Sequence, residues 1–177
     1  KVQPFCVFQD PSLEGMASQY PTSMEDMAKI TGVSSGKARR YGRKFVGIIA
    51  DYVEENDIER PTDFVIKTVA NKSRVKVEII QSIDRKIPLD DIASSKSIKM
   101  EELLHEIEMI VTSGTKVNLD YYIEDNVDEM SREDIYDYFM EADSDSIDDA
   151  FKELEEDDIT IEEIQLMRLK FLSDMGN

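Results

Sequence analysis

Carboxylates are the most abundant reactive groups in this chain, with 39 Asp and Glu among 177 residues. Where two adjoin, as at Asp90-Asp91 and Asp157-Asp158, a hard cation or acid/base chemistry would be the use to expect. The spacing argues against both. Adjacent helix residues point about 100° apart, and no glycine-interrupted loop of oxygen ligands surrounds either pair. His105 is the single histidine. Set among Glu101, Glu102, Glu106 and Glu108, it is predicted to be solvated, neither a zinc ligand nor a general base. Ser34 and Ser35 have no histidine partner in sequence, and a hydrolase triad needs one. Cys6, the single cysteine, lies between Phe5 and Val7 and is predicted to be a small buried hydrophobe. Alone it forms no internal disulfide, which fits a reducing cytoplasm. No phosphate-cradling glycine-rich loop ending in Lys-Ser/Thr is present. The expectation is a chain with no catalytic residue, no metal site and no cofactor of its own.

The cations are arranged more usefully. On one helix at about 100° per residue, Lys37, Arg39, Arg40, Arg43 and Lys44 fall on a contiguous arc, and Ala38, Tyr41, Phe45, Ile48 and Ile49 cover the opposite, buried side. No acidic residue lies between Asp26 and Asp51, so this arc can approach phosphates without local repulsion. Gly32, in the turn that precedes the helix, either lets backbone amides approach a phosphate or serves only as a tight connection. The nucleic-acid-binding set is thus Lys37, Arg39, Arg40, Arg43, Lys44 and Gly32. Binding by such an arc is expected to be weak, indifferent to base sequence and strongly salt-sensitive.

A formal charge of −18 would exclude a nucleic-acid protein only if it were evenly spread. Residues 1–60 hold 8 Lys/Arg against 9 Asp/Glu, residues 61–116 hold 9 against 9, and residues 117–177 hold 4 against 21. The acidity belongs to the last third, which either serves as a solvated face, recruits a basic partner or competes with nucleic acid for the cationic arc. No apolar run approaches the roughly 20 residues of a membrane span. That predicts a soluble, cytoplasmic protein.

Several elements must position these groups. Thr22 and Glu25 have capping-box spacing and predict a helix over 23–30; after the turn at 31–34 the apolar period predicts one helix of about five turns from Ala38 to Tyr52. Pro61, after a polar stretch, marks a boundary. Beyond it, helices are expected at Val65–Ala70, Val75–Ile83, Leu89–Ala93 and Met100–Val111. The alternation of Val117, Leu119 and Tyr121 predicts a half-buried strand. Ser131 with Asp134, Ser146 with Asp149, and Thr160 with Glu163 predict three capped helices, so the acidic third is expected to be folded. The seven Tyr and seven Phe fall mostly on apolar stripes and are read as core.

Residues 4–55 resemble the helicase-and-RNase-D C-terminal (HRDC) domain. The resemblance rests on Pro4, Phe5, Val7, Phe8, Asp10 and Leu13, then Pro21-Thr22, Ile30, Gly32-Val33, Lys37 and Tyr41-Gly42. Ser34 stands where the family has a second glycine, and the family's usual first helix is expected upstream of Lys1. The next stretch resembles the helix-turn-helix region that follows HRDC in some bacterial RecQ helicases: Ile92-Ala93, Ile98 in the turn, Leu103 and Ile107, then Ser113-Gly114 and Val117-Asn118-Leu119. Asp157-Asp158-Ile159-Thr160 with Ile164 and Leu166 resembles the end of that region. The resemblance implies a mainly α fold: an HRDC-like domain over 1–58 and, over 59–177, a winged-helix-like helix-turn-helix domain with a short β-ribbon and acidic C-terminal helices.

It also implies an accessory, non-catalytic part of an ATP-dependent bacterial DNA helicase acting in repair or recombination. ATP and Mg would belong to a motor domain elsewhere in that chain, and the location would be cytoplasmic and nucleoid-associated. The implied partners are single-stranded or structured DNA, the rest of the helicase and a basic protein, with no membrane. Two alternatives stand beside this one: a protein-interaction module with incidental DNA contact, and the HRDC domain of a ribonuclease D-like RNA-processing enzyme. In either DNA-binding case the second helix of the helix-turn-helix, rich in glutamate, is not expected to read bases.

Overall fold

Two prolines start the chain's first helices. In a computed structural model that describes residues 2–60, 70–154 and 159–176, helix α1 (Pro4–Val7) and helix α2 (Asp10–Gln19) each carry proline in the first turn, where its missing amide hydrogen costs nothing. Ser23 caps α3 (Met24–Met27), its hydroxyl accepting from the Asp26 amide. The expected box of Thr22 and Glu25 is therefore displaced by one residue, and the helix ends at Met27 instead of Ile30. Ser34 caps α4 (Ser35–Lys37), which passes through a π turn at Ala38–Gly42 into α5 (Arg43–Glu55). The expected five-turn helix thus contains one wide turn near its start. Phe8, Met16, Met27, Ile30, Val33 and Ala38 form a small core, with Tyr41, Phe45 and Ile49 at its edge. Phe8 meets Tyr41 and Phe45 edge-on, at 6.3 and 5.1 Å between ring centroids.

The buried side expected of α5 needs correction. Ile48 is 69% exposed and Tyr52 51%, and α5 holds no fully buried residue. Helix α3 and the π turn pack on α5, but its apolar stripe is longer than the small core they share. Toward the far end, Tyr20 stacks on Tyr52 with ring centroids 6.4 Å apart.

The second core is larger. Helices α6 (Ala70–Asp84), α7 (Leu89–Lys96) and α8 (Met100–Thr112) enclose Ile79, Ile83, Leu89, Ile92, Leu103, Ile107 and Ile110, each at most 2% exposed. Ser97, left-handed at φ 54°, ends α7, and the Ile98 amide turns back to the Ala93 carbonyl at 3.1 Å. This is the tight turn of a helix-turn-helix. Glu102 then accepts from the Lys99 amide at 3.0 Å and starts α8. Of the helix expected at Val65–Ala70, Ala70 opens α6 and the rest lies outside the described residues, as do Pro61 and the Asp157-Asp158 pair.

No strand occurs among the described residues, so the β-ribbon expected at Val117, Leu119 and Tyr121 is not found there. Val117 and Leu119 are buried, and no strand among the described residues pairs with them. Ser173 takes that part instead: its hydroxyl accepts from the Val117 amide and donates to the Val117 carbonyl, both at 2.8 Å. Tyr121 already lies in α9 (Asp120–Asn126).

The acidic third folds around one helix. Helix α12 (Ile161–Gly176) is buried along Ile164, Leu166, Met167, Leu169, Phe171 and Leu172, and packs against α8, α9, α10 (Glu129–Glu141) and α11 (Ile147–Glu153). Two of the three expected caps form: Ser146 accepts from the Asp149 amide, and Thr160 and Glu163 exchange bonds as a capping box. The third is relocated. Asp128, not Ser131, caps α10, its carboxylate accepting from the Met130 and Ser131 amides and the Ser131 hydroxyl. Burying a hydroxyl that already bonds to Asp128 lets Ser131 sit inside the first turn.

The two cores touch. Phe5 leaves the HRDC-like half to join the larger core, 6.1 Å from Phe171, which also holds Phe139 and Tyr136. Gly176 lies so close that a Cβ there would stand 2.6 Å from the Cys6 carbonyl oxygen. Gln9 reaches Asp145 at 3.1 Å, and Asp145 in turn holds the buried Arg168, which also pairs with Glu108 at 2.8 Å.

Candidate nucleic-acid interface

The cationic arc is placed by a capped turn. Ser34 fixes the start of α4, and the chain climbs from there through the π turn into α5, carrying Arg39, Arg40, Arg43 and Lys44 to the surface. Arg39 donates from Nε to the Ser35 carbonyl at 3.2 Å, and the Arg40 guanidinium lies 5.1 Å from the centre of the Tyr41 ring. None of the four makes an ion pair with a described residue. Asp26, on α3, binds Lys29 at 3.1 Å and Arg60 at 3.4 Å. Burial disfavours its charge, but the bonds from Lys29, Ser23 and Arg60 outweigh that and hold its carboxyl below the usual range. Its negative charge is thereby balanced by Lys29 and Arg60.

Lys37 does not belong to the exposed arc. It is 5% exposed and its ammonium donates to the Cys6 carbonyl at 3.1 Å. Burial lowers its pKa below the ordinary lysine value. Two features turn it inward. The π turn breaks the 100° step that put Lys37 beside Arg40 and Lys44, and Gly114, at φ +99°, brings the loop after α8 against it. A Cβ at Gly114 would stand 2.9 Å from Lys37 Cγ and 2.5 Å from Ser34 Oγ. Sequence periodicity carries no sign of that contact.

Gly32 has a packing explanation of its own. It sits at φ +79°, and a Cβ there would stand 2.5 Å from the Ser12 hydroxyl, which donates to the Thr31 carbonyl at 2.9 Å. The Val33 amide bonds to Ile30 and the Lys37 amide to Ser34. These donors are used within the fold.

Cys6 and His105 are placed as their sequence neighbours led one to expect, the first buried and the second in solvent. Cys6 is 1% exposed, and burial, with the charge of Asp145, pushes its thiol up to about 12. A thiol so placed is inert. The His105 side chain is 69% exposed, with Glu108 4.0 Å away. On α8 the exposed side chains are Glu101, Glu102, His105 and Met109. That surface is anionic and offers no row of cations to a phosphate groove. Among the described residues no group of three or more His, Cys, Asp or Glu is arranged to hold a metal ion, and no helix is long and apolar enough to cross a membrane.

Comparison with known proteins accords with this geometry. The family model of the HRDC domain matches residues 1–49, and that of the RecQ-1-like helix-turn-helix domain matches residues 73–123. Over 51 residues the chain is 39% identical to the ATP-dependent DNA helicase RecQ of Haemophilus influenzae. The match takes in 29% of this chain and 8% of that protein, so the chain spans only a small part of its relative. An HRDC domain followed by a RecQ-1-like helix-turn-helix domain, with that relative beside them, identifies the chain as a C-terminal region of the RecQ helicase family.

Proposed function

We propose that this chain is an accessory nucleic-acid-binding region of an ATP-dependent DNA helicase, serving DNA repair or recombination, and that its contact with DNA is the exposed cluster Arg39, Arg40, Arg43 and Lys44. The observation that carries this is the pairing of four exposed cations with the absence of any ion-pair partner for them among the described residues. Gly32 contributes by shaping the turn ahead of the cluster, and Lys37 by anchoring it. The preferred partner is single-stranded or structured DNA, held weakly. ATP and Mg serve the motor of the parent enzyme, and the working location is the bacterial cytoplasm, at the nucleoid. The domain division falls at residues 58 and 59, with Phe5 and Cys6 crossing it as a packing strap. The second domain is winged-helix-like in order but binds through neither α8 nor a β-ribbon. The matched helix-turn-helix model beyond residue 60 favours the helicase over a ribonuclease D-like reading.

The test is a titration of fluorescent single-stranded DNA with the whole chain at several salt concentrations. Replacing Arg40, Arg43 and Lys44 with Glu is expected to abolish binding while circular dichroism stays unchanged. The wild-type log-log salt slope should lie near −2 to −3, since each single-strand phosphate neutralised contributes about −0.7. A folded triple variant with wild-type affinity and slope places the contact elsewhere.

A further inference from the structure

Helix α10 turns to solvent a face that the fold leaves unused. Glu129, Glu133 and Asp137 follow at i, i+4 and i+8, a row of three carboxylates about 12 Å long. None of them has an ion-pair partner among the described residues. Like charges at this spacing work against the helix that carries them. The row borders a groove of about 510 Å³ between α10 and α12, whose apolar part is the Tyr136 ring and Met167. Tyr136 is fixed edge-on to Phe171 at 5.1 Å.

Two cations also line the groove. Lys170 binds both Asp120 at 2.6 Å and Asp174 at 2.9 Å, so its charge is met inside the fold. Arg132 donates to the Asp128 carbonyl of its own helix at 3.4 Å. Two large apolar side chains share the solvent side of α10: Met130 is 75% exposed and Met140 40%. At about 100° per residue they fall on the same arc as the three carboxylates, Met130 next to Glu129 and Met140 beyond Asp137, about 15 Å apart. Methionine side chains are flexible and polarisable, and adapt to the surface they meet.

We propose that this face of α10 docks a basic amphipathic segment of another protein. Its Lys or Arg residues at i and i+4 would meet Glu129, Glu133 and Asp137, and its apolar residues would cover Met130, Met140 and Tyr136. Charge decides the occupant. Residues 117–177 carry 21 acidic against 4 basic residues, and the whole chain −18, so nucleic acid, an anionic membrane and a second copy of this chain are all repelled, whereas a basic segment is drawn in. The face is separate from the cationic turn, and its test involves no nucleic acid.

The probe is a fluorescent 18-residue synthetic helix with lysines at i and i+4 on one side and leucines beside them, compared with a scrambled peptide of the same composition. Anisotropy titrations use the whole chain at about 0.15 M salt. E129Q/E133Q/D137Q is expected to weaken binding at least tenfold, and M130S/M140S several-fold, with helicity unchanged. D143N/D148N/E153Q, which removes the same charge from exposed positions elsewhere, should change it less than twofold. Equal loss in both charge variants, equal binding of the scrambled peptide, or wild-type affinity in E129Q/E133Q/D137Q would overturn the proposal. So would a dimer in sedimentation that E129Q/E133Q/D137Q abolishes, which would assign the face to self-association.

Discussion

The cationic turn before α5 and the outer face of α8 are both exposed helical surfaces, and each lies in a domain with a nucleic-acid-related name. They differ in charge. The turn shows Arg39, Arg40, Arg43 and Lys44 without an ion-pair partner, while α8 shows Glu101, Glu102 and His105, with Lys99 as the adjoining cation. A helix-turn-helix reads DNA by entering a groove lined with phosphates, and an anionic helix is repelled before any base contact forms. The fold of a motif therefore does not carry its function; the side chains on its outer face do.

The largest expected effect sharpens where the cationic surface ends. Lys37→Glu would bury a carboxylate against the Cys6 carbonyl and the loop at Gly114, and should cost at least about 3 kcal/mol. Arg43→Glu, at an exposed site, should change stability by no more than about 0.5 kcal/mol yet weaken DNA binding. Thermal or urea unfolding of the two variants separates an anchor from a contact. Equal stability of both would return Lys37 to the exposed arc.

Cys6 ties that anchor to the acidic half, and its protonation gives a second check. Its pKa is raised from 9.0 to about 12 in the fold. A group raised in the folded state contributes stability that is complete below its unfolded pKa and disappears as pH climbs through the folded value. The margin by which the wild type exceeds Cys6→Ala should therefore shrink steadily between pH 9 and 12. A margin constant over that range would mean the thiol is not sealed under the junction.

Much of this architecture was legible in local sequence. The Ser146 and Thr160 caps, the turn at Ile98 and the burial of Cys6 each depend on a few neighbouring residues, and each is found. What was missed depends on distant ones. Lys37 is turned inward by Gly114, 77 residues on in the chain, and by a π turn that no periodicity of 3.6 can register. Val117 and Leu119 alternate as a strand would, but their polar partner is Ser173, far away in α12. Asp128 outcompetes Ser131 as the cap of α10 because its carboxylate reaches two amides and the Ser131 hydroxyl together. The fold was largely local; the limits of the site were not.

Reversing charge on α8 would break the comparison directly. Glu101→Lys with Glu106→Lys, which leaves the Glu102 cap in place, should raise affinity for single-stranded DNA about tenfold at 0.05 M salt and steepen the slope by about 1.4, two phosphates' worth. Glu101→Ala alone should cause no loss of duplex or single-strand binding. If it does cause a loss, α8 touches DNA after all.

The smallest expected effect concerns whether the acidic third restrains the cationic turn from a distance. Deleting residues 117–177 cannot answer this, because Phe5 and Cys6 pack against α12, and their exposure would disturb the first domain as well. Neutral substitutions leave the packing intact. Asp143, Asp148 and Glu153 are exposed, and none pairs with a cation of the turn. At 0.15 M salt the Debye length is about 8 Å, so exposed charges farther apart than that are largely screened. D143N/D148N/E153Q should therefore change affinity for single-stranded DNA less than twofold at that salt. At 0.01 M, where the Debye length reaches about 30 Å, the same variant should bind several-fold tighter than the wild type, because less repulsion reaches the approaching phosphates. A change of fivefold or more already at 0.15 M would show that the acidic helices act on the turn at close range, as a competitor for its cations, and would turn the contrast between the two halves into a mechanism of control.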